Sequence, residues 1–187
     1  MQDKNIIKIL KNDGIGIMPT DTIYGIVGSA YSRKAVERIY KIKKRDSHKP
    51  FIILISSIKD LENFGIHKID SFFEEKWPKK TSVILKHTNK KSSQKFKYLN
   101  RDADNLAFRL PDNKFILNIL KKTGPVVATS VNPQGLMQAQ NMKQAKEYFM
   151  NEVDFFLSGG KWNANPSNLI EIQKNGEIKV LRGILNK

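Results

Sequence analysis

Ile15-Gly-Ile-Met-Pro-Thr-Asp-Thr-Ile-Tyr-Gly25 changes character at its midpoint. The apolar first four residues read as a buried strand, and Pro19 stops it. The polar residues that follow therefore stand at a strand exit, where functional groups of sheet proteins collect. Pro, Asp, Thr and Gly are common turn formers. A turn alone, however, does not ask for two threonines, an acid and a tyrosine together.

Working outward, Ile6, Ile7, Ile9 and Leu10 fit a short amphipathic helix ending near Gly14. Ser32 is a good N-cap for a helix whose inner face is Ala35, Val36, Ile39, Tyr40 and Ile42. Residues 51–55 form a continuous apolar run suited to a central strand, and Ser57 can cap a further short helix. Residues 81–85 and 105–110 read as strands, and the Lys-rich segment 86–101 between them reads as a mobile surface loop. Asp112 is placed to cap a helix with Phe115, Ile116, Ile119 and Leu120 inward and Gly124 at its end. Residues 125–128 return as a strand that runs into Thr129-Ser130. Residues 153–157, 168–172 and 178–181 are the last strands, with Asn175-Gly176 as the hairpin turn between the final two. This alternation predicts an α/β fold around a mixed sheet.

A length of 187 residues points to one domain, 1–187, and 40% hydrophobic residues are enough for a core. No apolar run approaches the roughly 20 residues that a membrane helix needs. The opening Met1-Gln-Asp-Lys-Asn5 lacks the apolar core of a secretory signal, so a cytoplasmic protein without membrane contacts is expected. The absence of cysteine excludes disulfides, thiol nucleophiles and thiolate zinc sites. His48, His67 and His87 are too scattered for a metal motif, so no protein-borne metal is expected. With 33 Lys+Arg against 18 Asp+Glu, the net charge of +15 predicts attraction to phosphate on RNA, a membrane surface or a nucleotide. A compositionally biased genome, rich in Lys, Asn and Ile codons, is the competing explanation for the surface lysines outside the motifs.

Three further polar clusters interrupt the pattern. Lys43-Lys-Arg45 continues to Lys49-Pro50. A helix dipole explains one or two cations near a helix C-terminus, each worth about 0.3–1 kcal/mol. It does not explain why Arg45 and Lys49 follow, whereas a polyphosphate or carboxylate ligand does. Ala128-Thr-Ser-Val-Asn132, with Gly135, sets two hydroxyls and an amide after a strand, as a Ser/Thr turn also would. The last cluster joins Arg109 with Asn165-Pro-Ser167 and Arg182, each weak alone. There is no P-loop, dinucleotide fingerprint or Ser/His/Asp grouping, so a phosphate site here rests on side-chain cations and strand-end groups.

In order, these clusters resemble the YrdC/Sua5 family of threonylcarbamoyl-AMP synthases. The resemblance rests on Pro19-Thr-Asp-Thr-Ile-Tyr-Gly-Ile26, Lys43-x-Arg45 with Lys49-Pro50, Trp77-Pro78 and Phe108-Arg-Leu-Pro-Asp112. It continues through Thr129-Ser-Val-Asn-x-x-Gly135, Asn165-Pro-Ser167 and Leu181-Arg-Gly183, and so spans nearly the whole chain. Pro78-Lys79-Lys80 stands where the family usually has Pro-Gly-Pro, and Val131 where it has alanine. The length resembles the shorter, single-domain members rather than those with an added C-terminal domain.

The resemblance implies a twisted open mixed β-sheet with flanking helices and a basic concave cavity. It implies an ATP-consuming nucleotidyltransferase that joins L-threonine, bicarbonate and ATP into L-threonylcarbamoyladenylate and pyrophosphate. A separate threonylcarbamoyl-transferase complex (TsaD/TsaB/TsaE-like) then modifies adenosine 37 of tRNAs reading ANN codons. On this reading Lys43, Arg45 and Arg182 neutralise the phosphates of ATP, with Lys49 as a helper. Ser130 and Asn132 bind the α-phosphate or carbamoyl end and complete the catalytic set with Lys43 and Arg45. Thr20, Thr22, Tyr24, Arg109 and Thr129 form the threonine pocket, Arg109 taking the carboxylate, and Ser167 contacts nucleotide. Mg²⁺ binds through the substrate's phosphates, and turn chemistry explains Asp21 more readily than a metal contact does. No general base is apparent, and positioning with charge neutralisation takes its place.

Two other readings compete. A non-catalytic RNA- or tRNA-binding module fits the charge, but segment 86–101 interleaves only Phe96 and Tyr98 with its cations. The related domain of hydrogenase-maturation carbamoyltransferases sits in long chains with zinc fingers, and this chain has no cysteine to build one.

Overall fold

The computed structural model describes residues 2–46, 48–67, 69, 77, 80–159, 165–173 and 177–184. Among them, the strands are β1 (Ile15–Pro19), β2 (Tyr24–Ser29), β3 (Ile52–Leu54), β4 (Thr81–Lys86) and β5 (Asn105–Arg109). They continue with β6 (Val126–Ser130), β7 (Phe155–Phe156), β8 (Asn168–Ile172) and β9 (Ile178–Arg182). The helices are α1 (Gln2–Lys11), α2 (Arg33–Lys43), α3 (Lys90–Lys95), α4 (Lys97–Asn100), α5 (Lys114–Thr123) and α6 (Met142–Phe149), with a 3₁₀ helix at Ile58–Phe64. The strands form one mixed sheet ordered β7-β1-β2-β6-β3-β5-β4-β8-β9, so the apolar run that reads as a central strand occupies the middle position.

Register decides which side chains share a face, because alternate residues of a strand point to opposite sides. Ile52 faces Ala128 on one neighbour and Ala107 on the other, and Ala107 faces Ile84. Two residues along, Leu54 faces Val126 and Arg109. The intervening residues Ile26, Ile53, Phe108 and Val127 point the other way, into the main core under α2, the 3₁₀ helix, α4 and α6. On the first face, α1 and α5 bury Met18, Leu54 and Val126 under Ile6, Leu10, Ile116 and Ile119. The rest of that face, around Ala107 and Ala128, is left uncovered by helices and floors a cavity.

Several expectations are corrected. Segment 86–101 is not an irregular loop: α3 and α4 form within it because Phe96 and Leu99 are buried in the main core. The Phe96 ring lies 4.9 Å from that of Phe64. Asn113, not Asp112, caps α5, its Oδ1 accepting from Ile116 N at 3.1 Å. Asp112 instead turns its backbone N–H toward Asp21. Strand β2 and helix α6 had no sequence reading, and Asn175-Gly176, Pro78 and Lys79 lie outside the described residues. The Ser32 cap and the mixed sheet are as expected.

Candidate active site

The open face holds a cavity of about 470 Å³. Its floor is apolar and low, since Gly25, Ala107 and Ala128 leave room above the sheet, while its walls carry hydroxyls and three guanidiniums. Arg109 ends β5 on the cavity face and is only 3% exposed. Its Nη2 donates to Asp21 Oδ2 at 2.5 Å and its Nη1 to Thr22 Oγ1 at 2.8 Å. Burial presses the guanidinium below its usual pKa and Asp21 opposes that shift, but an arginine stays protonated in proteins. The Thr20 hydroxyl donates to Ile23 O at 2.5 Å and so closes the β1–β2 hairpin. The first cluster is therefore both a turn and a wall of the site, and Asp21 is the partner of a guanidinium.

Arg182 enters from β9. Its Nε donates to Ser167 O at 2.9 Å and its Nη2 to Ser167 Oγ at 3.2 Å, while Ser167 Oγ lies 2.9 Å from Ser82 Oγ. Burial, then the like charge of Arg109, depresses its pKa, so two cations from distant strands share this end of the cavity. On another wall Arg45 follows α2, its Nε donating to Lys49 O at 3.0 Å and its guanidinium lying 5.4 Å from the Phe51 ring centre. Burial is the main cause of its lowered pKa as well. Arg109 already has Asp21 as its partner, whereas Arg45 and Arg182 donate to neutral oxygens of Lys49 and Ser167, so these two charges in particular fit an anionic guest.

Thr20, Thr22, Arg45, Arg109, Thr129, Ser130, Ser167 and Arg182 all line the cavity. Lys43, Lys49, Tyr24 and Asn132 do not appear on its walls. Tyr24 is buried and ties β2 to Gly159, its hydroxyl accepting from Gly159 N at 2.7 Å and donating to Gly159 O. Lys49 is exposed, and it is its carbonyl that receives Arg45 and, at 3.0 Å, the Tyr40 hydroxyl. Asn132 Oδ1 accepts from Ser130 Oγ at 2.6 Å, behind the wall. Lys43 is 2% exposed and bound to oxygens of Ser130 and Asn132. Trp77 is buried with its indole N–H on Thr81 O at 3.0 Å. Asn105 and Gln138 line the cavity without having been singled out from the sequence. Asn105 was findable, since it precedes Ala107 and Arg109 at the strand period of two; nothing marked Gln138.

Among the described residues no three His, Cys, Asp or Glu side chains gather as a metal site, and no helix is long and apolar enough to cross a membrane. An open mixed α/β sheet whose bare central face is ringed by one buried arginine, Arg109, and by two that are more exposed than it, Arg45 and Arg182, is a class of fold and site suited to anionic small molecules. More particularly, the chain belongs to the Sua5/YciO/YrdC family, whose family model, described as "Telomere recombination", matches residues 8–183. It is 25% identical over 171 residues to the threonylcarbamoyl-AMP synthase of Pseudomonas fluorescens strain Pf-5, covering 86% of each chain. It is 27% identical over 193 residues to the putative threonylcarbamoyl-AMP synthase of Methanocaldococcus jannaschii, covering 97% of this chain and 87% of the other. Its fold matches P. abyssi Sua5 complexed with L-threonine with a TM-score of 0.83 and 22% identity, over 97% of this chain but only 53% of that one. E. coli YciO matches with a TM-score of 0.81 and 20% identity, over 97% and 88% of the two chains.

Proposed function

We propose that this chain is a threonylcarbamoyl-AMP synthase, and that threonine and ATP lie side by side on the bare face of the sheet. The observation that carries this is Arg109, a buried guanidinium fixed by Asp21 and Thr22 in a cavity whose other walls hold Arg45 and Arg182. A planar fork of that kind fits a carboxylate, and the two other cations fit a triphosphate. The curated relatives named for this activity support the same reading.

The reaction condenses the threonine amine with bicarbonate to a carbamate, releasing water. A carbamate oxygen then attacks the α-phosphorus of ATP, and the bond to the β-phosphate oxygen breaks to release pyrophosphate. Both partners are anions, so bringing them together is an electrostatic task before it is a chemical one. Arg109 and Thr22 orient threonine, while Arg45 and Arg182 draw in the phosphates. Ser130, at the end of β6 on the cavity wall, supplies a hydroxyl to the reacting ends. Preorganised donors lower such a barrier without needing a general base. The cavity walls offer hydroxyls and guanidiniums rather than carboxylates, so a Mg²⁺ would be held by the substrate's phosphates, where it would neutralise charge on the triphosphate. Such an acyl-adenylate is reactive and calls for a transferase that moves its threonylcarbamoyl group to adenosine 37 of tRNA, in the cytoplasm.

The test is pyrophosphate release from ATP and Mg²⁺ by the purified chain. The expected result is release that needs both L-threonine and bicarbonate and falls by two or more orders of magnitude in Arg45→Ala, the range seen when one preorganised electrostatic donor is removed. Salt-sensitive RNA binding with no threonine-dependent ATP consumption would favour an RNA-binding module instead.

A further inference from the structure

Lys43 closes α2 with its side chain turned away from solvent and from the cavity. Its Nζ donates to Ser130 O at 2.5 Å, to Asn132 O at 2.5 Å and to Asn132 Oδ1 at 3.3 Å. An ammonium has three N–H donors and no acceptor. Here three hydrogens meet three oxygens, whereas a neutral amine would turn its lone pair against one of them. The backbone of the same residue adds a fourth tie, with Lys43 O accepting from Gln134 N at 2.7 Å. The segment so held is internally bonded: Ser130 Oγ donates to Asn132 Oδ1, Asn132 Nδ2 to Leu136 O at 2.7 Å, and Ala139 N to Val131 O at 2.8 Å. Ser130 and Gln138, at its two ends, both line the cavity.

We infer that Lys43 is a positioning residue, its ammonium fastening the exit of β6 to the end of α2 so that the Ser130–Gln138 wall stands formed before nucleotide binds. It acts through Ser130 and does not touch phosphate. Its consequence for turnover rests on the synthase reading above; its consequence for the wall does not. Burial, then the nearby charge of Arg45, lowers the Lys43 pKa to about 7, while β6 and its following loop face the ammonium with neutral oxygens. The fastening is complete only in the protonated form, so turnover falls as pH rises through that value.

The test compares the full-length chain with Lys43→Met. In the absence of nucleotide, amide hydrogen exchange across 130–139 is expected to speed up by roughly tenfold or more, with β1, β2 and α5 unchanged, as for a local opening. Turnover is expected to drop on the order of 100-fold while the KM for ATP moves less than about threefold, the pattern of lost positioning rather than lost binding. Lys43→Gln, whose amide can still donate to two of the oxygens, is expected to regain part of the turnover and to lose its fall between pH 7 and 9, the window set by the Lys43 value of about 7. If the methionine variant fails to fold, the glutamine variant takes the same measurements. Unchanged exchange across 130–139, with a KM for ATP raised tenfold or more, would overturn the inference and make Lys43 a direct phosphate ligand. Failure of the wild-type chain to release threonine-dependent pyrophosphate would instead sink the synthase reading, and the exchange comparison would still decide the role of Lys43.

Discussion

Asp21 and Arg109 form a buried ion pair with side chains only 4% exposed. Removing one member of such a pair leaves the other charge uncompensated, at about 3–5 kcal/mol. Arg109→Met is expected to lose stability in that range by urea denaturation and to abolish threonine binding. Adding Asp21→Asn is expected to restore stability but not threonine binding, which separates the structural part of the pair from its ligand-facing part. Equal stability of the single and double variants would show that Asp21 is not held by Arg109. Some of this was legible from residue types alone: an arginine ending a strand before Pro111, and a Thr-Asp-Thr turn, both suggest anion binding. That Asp21 and Arg109 meet was not legible, since 88 positions separate them and only the sheet register brings their strands' ends together. Lys43 is a different case. Its place in Lys43-x-Arg45 suggests a phosphate ligand, while its burial at the last turn of α2, against oxygens of Ser130 and Asn132, could be read only from the structure.

At the level of elements, strands with continuous apolar runs were readable because burial on both faces writes itself directly into composition. Strand β2 was not, because Gly25 and Gly28 break its apolar run and a polar turn leads directly into it. Gly28 lets α2 pack closely on β2, since a Cβ at that position would sit 3.0 Å from the Ile15 side chain and 3.2 Å from Ala35. In α3 and α4 lysine-rich composition outweighed two apolar anchors, and in α6 only Ala145 and Phe149 are fully buried. The end of β9 carries a sharper constraint. Gly183 has φ of 84° and a Cβ there would fall 2.0 Å from Asn168 Oδ1, a conformation and a clash that an L side chain resists. Gly183→Ala is expected to shift β9 against β8, dislodge Arg182 from Ser167 and raise the KM for ATP by about tenfold, roughly one lost charge-assisted contact of 1.4 kcal/mol. An unchanged KM would show that Arg182 does not contact the nucleotide.

Across the whole molecule, the sheet leaves half of one face bare and spends its cations there. Helices α1 and α5 cover one end of that face, and the other end keeps low residues on its floor with Arg45, Arg109 and Arg182 around it. A net charge of +15 predicts attraction to anions in general, but only the fold gathers cations from the segment after α2, from β5 and from β9 around one space. Co-crystals of the chain with L-threonine and a non-hydrolysable ATP analogue give the most direct test. The expected difference density places the threonine carboxylate on Arg109 and the phosphates between Arg45, Ser130 and Arg182. Both ligands settling away from the bare face, with the space above Ala107 and Ala128 filled only by solvent, would contradict it.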